Sequence, residues 1–183
     1  MWNNIVYKSI NIFKSKSTLS IANNLSLIPN HNRIIDHIYL GNLNSAHNEE
    51  FLKTVHIGAV LNCTVSESFH PYFLDKPKFR LDVEDSRTPE NIEAFREKLP
   101  ACVQFIEDNI YNDRIIYVHC YWGLMRSATV VAAYLIKNYH YTPKEAISFI
   151  KQKRPQALSS LYNYNDLLED YYKKYCVISD IDF

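Results

Sequence analysis

The sequence predicts a single α/β domain whose core is a twisted, mostly parallel sheet of about four or five strands, flanked by helices and preceded by an N-terminal helix. Short apolar runs rich in β-branched residues alternate with longer segments whose apolar residues recur at helical spacing. The 183 residues contain no internal repeat and no linker-like stretch. This length suits one domain with a sizeable core.

The first 30 residues differ from the rest because they contain no Asp or Glu. Five apolar residues of this segment fall near helical spacing: Trp2, Ile5, Val6, Ile10 and Phe13. We therefore expect an amphipathic helix in residues 1–30 that packs on the domain or on a partner subunit. Two alternatives stay open for the segment, a mitochondrial presequence and a helix that lies on a membrane surface.

The domain itself is expected at residues 31–176. Its first half should contain a hairpin at 34–41, a helix at 45–54, a buried strand at 57–63, an irregular loop at 64–77 and a short strand at 78–83. The polar residues Asn62 and Thr64 lie at the end of the buried strand. Open α/β sheets place their sites at the carboxyl ends of strands, so the following loop should form one wall of a cleft.

The second half of the domain is mostly helical in pattern. Thr88 and Pro89 suit the N-cap and first position of a helix to about residue 111, which Pro100 should kink or split in two. Thr142 and Glu145 form a capping box that begins another helix. The capped helix should end near Lys153. The remaining expected elements are a strand at 115–120, a helix at 127–139, a last helix from Ser159 or Ser160 to Tyr175, and a short tail at 177–183.

The most informative stretch is the apolar strand at 115–118 that ends in His119 and Cys120, followed six residues later by Arg126. A helix begins directly after Arg126, so the loop amides lack helical partners and form a cradle for an anion. A cysteine at the floor of that cradle should have a lowered pKa, because the site favours the thiolate. The planar guanidinium of Arg126 matches two oxygens of a phosphoryl group, and Ser127 brings a hydroxyl near the sulfur.

The string His119-Cys120-x5-Arg126-Ser127 resembles the signature of cysteine-dependent protein phosphatases. Gly123 in mid-loop and the apolar helix after Ser127 resemble the dual-specificity branch of that superfamily. The resemblance implies that Cys120 is a nucleophile that forms a cysteinyl-phosphate, that Arg126 clamps the phosphate, and that Ser127 assists departure of the thiolate. It assigns His119 a supporting role. The substrate-binding cradle would consist of the loop residues Tyr121, Trp122, Gly123, Leu124, Met125 and Arg126.

The leaving alcohol needs a proton, so a carboxylic acid must reach the site. Asp82, Glu84 and Asp85 lie in the loop before the helix that Thr88 caps. Asp85 best matches the family's acid, because the Asp85-Ser86 pair resembles the family's common Asp-Ser or Asp-Thr context. Asp82 is the alternative acid.

The loop also bears on the substrate. It contains no lysine, whereas lipid phosphatases of the superfamily usually carry lysines there, and Ser127 follows Arg126 where RNA 5′-triphosphatases usually have Thr-Gly. We therefore expect phosphotyrosine and phosphoserine or phosphothreonine in proteins as substrates. Tyr121 and Trp122 would either form an aromatic rim for a phosphotyrosine ring or pack on neighbouring loops. The alternatives are a phosphoprotein-binding pseudophosphatase, and a phosphatase for an RNA 5′-phosphate or a phosphoinositide.

Composition constrains the setting. Lys plus Arg and Asp plus Glu both number 20, which argues against a dedicated nucleic-acid binder, and no apolar run has the length of a transmembrane helix. We expect neither a metal nor another cofactor, and free thiols in a reducing, cytoplasmic compartment. The richness in Asn, Ile, Lys and Tyr suggests a poxvirus-type or other large DNA virus, hence a virion association. Some viral members of the resembled family dimerise through an N-terminal helix, so the resemblance implies a homodimer formed through residues 1–30.

The four cysteines are Cys63, Cys102, Cys120 and Cys176. Only Cys120 has the surroundings of a reactive thiolate. Cys63 lies at the end of a predicted strand, where it could form a protective disulfide with Cys120.

Overall fold

A computed structural model of the chain describes residues 29–159 and 164–177. The strands are β1 (His31–Ile35), β2 (Ile38–Gly41), β3 (Ile57–Asn62), β4 (Lys78–Arg80) and β5 (Ile115–His119). The helices are α1 (Leu43–Ala46), α2 (Glu49–Thr54), α3 (Pro89–Tyr111), α4 (Arg126–Tyr139), α5 (Pro143–Lys153) and α6 (Asn165–Tyr172). A 3₁₀ turn at Pro71–Phe73 and a π turn at Lys173–Val177 complete the described structure. The predicted N-terminal helix and the end of the tail lie outside the described residues.

The strands form one sheet in the order β1-β2-β5-β3-β4. Only the β1–β2 hairpin is antiparallel, and the other three pairs are parallel. The predicted α/β class and the mostly parallel sheet are therefore confirmed. Parallel pairing brings the carboxyl ends of β3 and β5 to one edge, where Asn62 is in register with His119.

Helices cover both faces of the sheet, as predicted. The larger core joins α3, α4, α5 and α6 to one face, and its strand residues include Leu61, Ile116 and Val118. The smaller core lies on the opposite face beneath α1 and α2 and contains Val60 and Tyr117. Consecutive residues of β5 thus belong to different cores, because side chains alternate across a strand.

The helix predicted at 45–54 is instead two short helices, α1 and α2. The Asn42 side chain accepts a hydrogen bond from the Ser45 amide, and the Asn48 side chain accepts one from the Phe51 amide. Each asparagine therefore caps a helix of its own, because an asparagine side chain readily satisfies the free amides of a first turn. The prediction was wrong because it treated Asn48 as an interior residue.

Helix α3 has the predicted cap at Thr88, the predicted first residue Pro89 and the predicted end at residue 111. Pro100 does not split it in two, because buried residues on both sides of the proline, such as Phe95 and Val103, pack into the same core. Two other boundaries differ from the predictions. Strand β4 ends at Arg80 rather than near residue 83, since its last bond to β3 runs from the Leu81 amide to the final β3 residue, Asn62. Helix α6 begins at Asn165, later than the predicted caps Ser159 and Ser160; Ser160 lies outside the described residues.

Candidate active site

The loop from β5 to α4 encloses the sulfur of Cys120, which is only 2% exposed. The Cys120 Sγ accepts hydrogen bonds from the Gly123 amide at 3.2 Å and from the Ser127 hydroxyl at 3.3 Å. Helix α4 begins at Arg126 with Met125 as its N-cap, and Met125 makes no side-chain cap bond. The Ser127 hydroxyl is therefore bonded to the sulfur instead of capping the helix.

The surroundings of Cys120 favour its thiolate. Burial by itself would raise the pKa of this thiol. The hydroxyl and amide of Ser127, the charge of Arg126 and the amide of Leu124 together outweigh burial and lower the pKa below the ordinary value for cysteine. A thiol with this balance of donors is more nucleophilic near neutral pH than an ordinary buried cysteine.

Gly123 gives the loop its shape. Its φ is +68°, a left-handed conformation that favours glycine, and a Cβ at this position would overlap the Gly41 carbonyl at the end of β2. The Leu43 amide donates to the Tyr121 carbonyl at 3.1 Å. The loop therefore rests directly on the chain between β2 and α1.

Arg126 lies beside the loop with its guanidinium buried. Its Nη1 donates to the Val83 carbonyl at 3.0 Å, and its Nη2 donates to the Asp85 carboxylate at 3.1 Å. Its Nε is buried and has no hydrogen-bond partner among the described residues. The guanidinium is thus held by two hydrogen bonds, and its Nε is a donor that no described residue satisfies.

The two candidate acids lie in different surroundings. Asp85 contacts Arg126 and is about half exposed, so its carboxyl lies at the mouth of the site. Asp82 instead pairs with Lys98 on α3, with Nζ and Oδ1 separated by 2.6 Å. The hydrogen bond to Lys98 lowers the pKa of Asp82, which favours its charged form. None of the contacts described for Asp82 is with the cysteine loop.

His119 is buried at the end of β5. Its ring stacks on Tyr117 with centroids 5.6 Å apart, and its Nδ1 lies 3.3 Å from the Cys120 carbonyl. Burial, only partly offset by the bond to that carbonyl, lowers the pKa of His119 to about 4. Burial thus favours the neutral imidazole, which is packed and hydrogen-bonded at the end of β5.

The aromatic residues Tyr121 and Trp122 are 47% and 52% exposed. Their rings contact each other edge to face, with centroids 5.1 Å apart. Both rings remain half open to solvent, which leaves them able to contact a ligand. Leu124 and Met125 are half-buried beside them.

Arg154, immediately after α5, is a site residue that sequence reasoning missed. It is 0% exposed and donates from Nε to the Gly123 carbonyl at 2.7 Å and from Nη2 to the Trp122 carbonyl at 3.1 Å. In the sequence, Arg154 stands before Pro155 and indicates only the end of a helix. No local signal distinguishes it, because its partners lie 31 and 32 residues earlier.

The surroundings of Cys63 differ from those of Cys120. The Cys63 amide donates to the His119 carbonyl at 2.7 Å, so Cys63 lies beside the strand end that delivers Cys120. Burial raises the pKa of the Cys63 thiol well above the ordinary value. All four cysteines are free thiols in the structure, and the Cys63–Cys120 disulfide stays a prediction.

Within residues 29–159 and 164–177, no group of three or more His, Cys, Asp or Glu side chains could hold a metal ion. Among the same residues no helix has both the length and the apolar character needed to cross a bilayer.

A family model described as the dual specificity phosphatase catalytic domain matches residues 38–174. Human dual specificity protein phosphatase 16 is 35% identical over 146 residues, which are 78% of this chain and 21% of that protein. Dual specificity protein phosphatase 1 of Arabidopsis thaliana is 32% identical over 120 residues, which are 66% of this chain and 58% of the relative. This chain therefore spans only part of the length of either relative.

A crystal structure of DUSP15 shares the fold. It superposes with a TM-score of 0.69 at 23% sequence identity, covering 85% of this chain and 98% of that one. At this identity the likeness concerns the fold alone, and it agrees with the five-stranded sheet described above.

Proposed function

This chain belongs to the dual specificity phosphatase catalytic domain family, and we propose that it hydrolyses phosphate esters of protein tyrosine, serine and threonine through a cysteinyl-phosphate. The observation that carries the proposal is the hydrogen bonding of one buried sulfur. The Cys120 Sγ accepts from both the Gly123 amide and the Ser127 hydroxyl. These donors stabilise a thiolate, and Arg126 beside them can bind the phosphate that the thiolate attacks.

In the first step, the Cys120 thiolate attacks phosphorus, so that a P–S bond forms while the P–O bond to the substrate breaks. The loop amides and Arg126 hold the three non-bridging oxygens. The Arg126 Nε has no partner in the described part of the chain, which supports this role because a bound oxyanion would satisfy it. The leaving oxygen takes the electron pair of the broken bond and a proton from Asp85.

Asp85 is proposed as the acid because of its contact with Arg126. A bound phosphate would compete with the Asp85 carboxyl for Arg126 Nη2, which lies 3.1 Å from it. Displacement would move the carboxyl toward the leaving oxygen. Asp82 is held instead by Lys98 and is the weaker candidate.

In the second step, water attacks phosphorus and the P–S bond breaks. Asp85, now a carboxylate, accepts a proton from that water. The thiolate leaves with the electron pair, and the Ser127 hydroxyl, 3.3 Å from the sulfur, stabilises its charge. Inorganic phosphate is released and the starting thiolate is restored.

A protein substrate is supported by the loop residues. The segment between Cys120 and Arg126 carries no charged side chain, so the loop offers no lysine for the additional phosphates of a phosphoinositide. The half-exposed rings of Tyr121 and Trp122 can contact the apolar part of a phosphotyrosine or its neighbours in a peptide. The retained pair Cys120 and Arg126 argues against a pseudophosphatase.

We would measure phosphate release from an aryl phosphate, a phosphotyrosine peptide, a phosphothreonine peptide, a phosphoinositide and a 5′-triphosphorylated RNA. The chain would be assayed with a metal chelator present, as wild type, Cys120→Ser and Asp85→Asn. The proposal predicts release from both peptides that Cys120→Ser abolishes and Asp85→Asn strongly reduces. Folded wild type that binds the peptides without turnover would favour the pseudophosphatase. Release from the lipid or the RNA alone would overturn the protein substrate.

The setting of the enzyme is part of the same proposal. We place the catalytic domain at residues 31–176, with residues 1–30 as a helix that joins two copies into a homodimer, and the protein in a reducing cytoplasm or a virion. Free thiols at all four cysteines support a reducing compartment, and the composition rich in Asn, Ile, Lys and Tyr supports a large DNA virus as the source. The molar mass in solution, measured with and without residues 1–30, tests the dimer. A monomer in both cases would contradict it.

A further inference from the structure

Arg154 is a buried cation whose hydrogen bonds in the described part of the chain all end on neutral oxygens. Its Nε and Nη2 reach the Gly123 and Trp122 carbonyls, and its Nη1 reaches the Pro29 carbonyl at 2.8 Å and the Asn32 side chain at 2.7 Å. Burying a charge is costly unless its donors are fully used. Two of these four bonds hold the loop that encloses Cys120.

The two carbonyls belong to consecutive peptide units of that loop. A trans peptide is planar, so its carbonyl and its amide point in opposite directions. In the unit that joins Trp122 to Gly123, the carbonyl accepts from Arg154 and the amide donates to the Cys120 sulfur at 3.2 Å. In the next unit, the Gly123 carbonyl accepts from Arg154, and the Leu124 amide is one of the donors that act on the sulfur.

A third peptide unit is held from the same side. The Leu158 amide donates to the Leu124 carbonyl at 2.9 Å. The segment that follows α5 thus fixes three successive carbonyls on the outside of the loop, those of Trp122, Gly123 and Leu124. With the Trp122 and Gly123 carbonyls fixed, the amides of the same two units, those of Gly123 and Leu124, are directed at the Cys120 sulfur.

We propose that Arg154 is a positioning residue, which sets the orientation of the Gly123 and Leu124 amides and thereby both the acidity of the Cys120 thiol and the affinity for phosphate. Being fully buried, Arg154 would act through the loop and not by touching the substrate. The inference rests on the proposed function of the same loop and adds a residue outside the motif to it.

Two substitutions of Arg154 separate its effect on the orientation of the loop amides from the effect of its positive charge. Arg154→Lys keeps a cation, but a single ammonium cannot reproduce the planar fork that reaches two adjacent carbonyls. Arg154→Met removes the charge as well. Asn32→Ala is the matched control, because it removes one partner on the far side of the guanidinium and leaves both loop carbonyls bonded.

The measurement is the rate at which iodoacetamide alkylates Cys120 in the full chain, as a function of pH. The alkylation of the other cysteines is measured in Cys120→Ser and subtracted. We expect the midpoint of the pH–rate curve for alkylation to rise by about one pH unit in Arg154→Lys and by at least as much in Arg154→Met. One pH unit corresponds to a tenfold loss of preference for the thiolate. Protection of Cys120 by inorganic phosphate should weaken about tenfold in both. Asn32→Ala should match wild type.

The outcomes distinguish this inference from the proposed function. An ordinary cysteine midpoint in wild type would contradict the proposed function itself. A low wild-type midpoint that neither Arg154 variant changes, in chains that circular dichroism shows to be folded, would overturn only the role of Arg154.

If the Arg154 variants do not fold, a measurement on the wild-type chain still tests the inference. The Arg154 Nε–H should be protected from solvent exchange in NMR spectra, and its resonance should shift as Cys120 titrates. Exchange at the rate of a free arginine would overturn the inference.

Discussion

Replacement of Ser127 by alanine isolates one of the donors to the sulfur. The Ser127 hydroxyl is buried and lies 3.3 Å from the Cys120 Sγ, while the Gly123 amide at 3.2 Å remains in the variant. In the proposed mechanism, the thiolate is the leaving group only when the cysteinyl-phosphate is hydrolysed. Loss of the hydroxyl should therefore slow the second step more than the first.

The size of the effect follows from the hydrogen bond. A hydrogen bond to a charged group contributes about 1.5–3 kcal/mol, and each 1.4 kcal/mol is a factor of about ten in rate. The second step should slow roughly 10- to 100-fold. The thiol pKa should also rise, because Ser127 supplies the largest of the contributions that lower it.

The assay is stopped-flow release of nitrophenol from para-nitrophenyl phosphate. Ser127→Ala should give a rapid burst close to one equivalent of enzyme and then slow turnover. Thr129→Val is the matched control, since its buried hydroxyl bonds to the Met125 carbonyl and not to the sulfur; it should keep the steady-state rate of wild type. Slow turnover without a burst would refute the assignment of Ser127 to the second step.

Three other predictions address the acid, the loop and the buried imidazole. Asp85→Asn should slow hydrolysis of a phosphotyrosine peptide about 10²- to 10⁴-fold, whereas Asp82→Asn should change it little; equal losses in steady-state assays would contradict this choice of acid. Gly123→Ala should lose at least about tenfold in kcat while circular dichroism stays native, because its Cβ would overlap the Gly41 carbonyl; full activity would contradict the described loop. Burial lowers the pKa of His119 from 6.5 to about 4, so between pH 6.5 and pH 4 the unfolded chain binds a proton that the folded chain does not. The free energy of unfolding should therefore be highest above pH 6.5 and fall as the pH drops toward 4. His119→Gln should remove at most about 3 kcal/mol of this change in the free energy of unfolding, as measured by urea titrations at several pH values. An unchanged pH dependence in the variant would refute this role of His119.

The sequence was sufficient to predict the structure where a strand, a loop and a helix follow one another directly in the chain. His119, Cys120 and Arg126 are held by elements that are contiguous in the chain, so their patterns predicted both the elements and the enclosed sulfur. The mostly parallel sheet was predictable for a similar reason, because apolar strands alternate with helical segments.

Contacts across long stretches of the chain were not predictable. Arg154 reaches the loop only after α5 has packed, and no neighbouring residue indicates its partners. The ion pair of Asp82 with Lys98, 16 residues later on α3, likewise has no local signal in the sequence. Local side-chain chemistry also outweighed periodicity at Asn48, whose cap divides one expected helix into two.

The most direct test of the central claim is to trap the covalent intermediate. Ser127→Ala would be mixed with a phosphotyrosine peptide, quenched in acid within milliseconds and digested, and the fragment that contains Cys120 would be analysed by mass spectrometry. We predict one phosphoryl group on Cys120 that disappears on longer incubation and is absent from Cys120→Ser. Turnover of the peptide with no phosphoryl group on Cys120 at any quench time would contradict the mechanism.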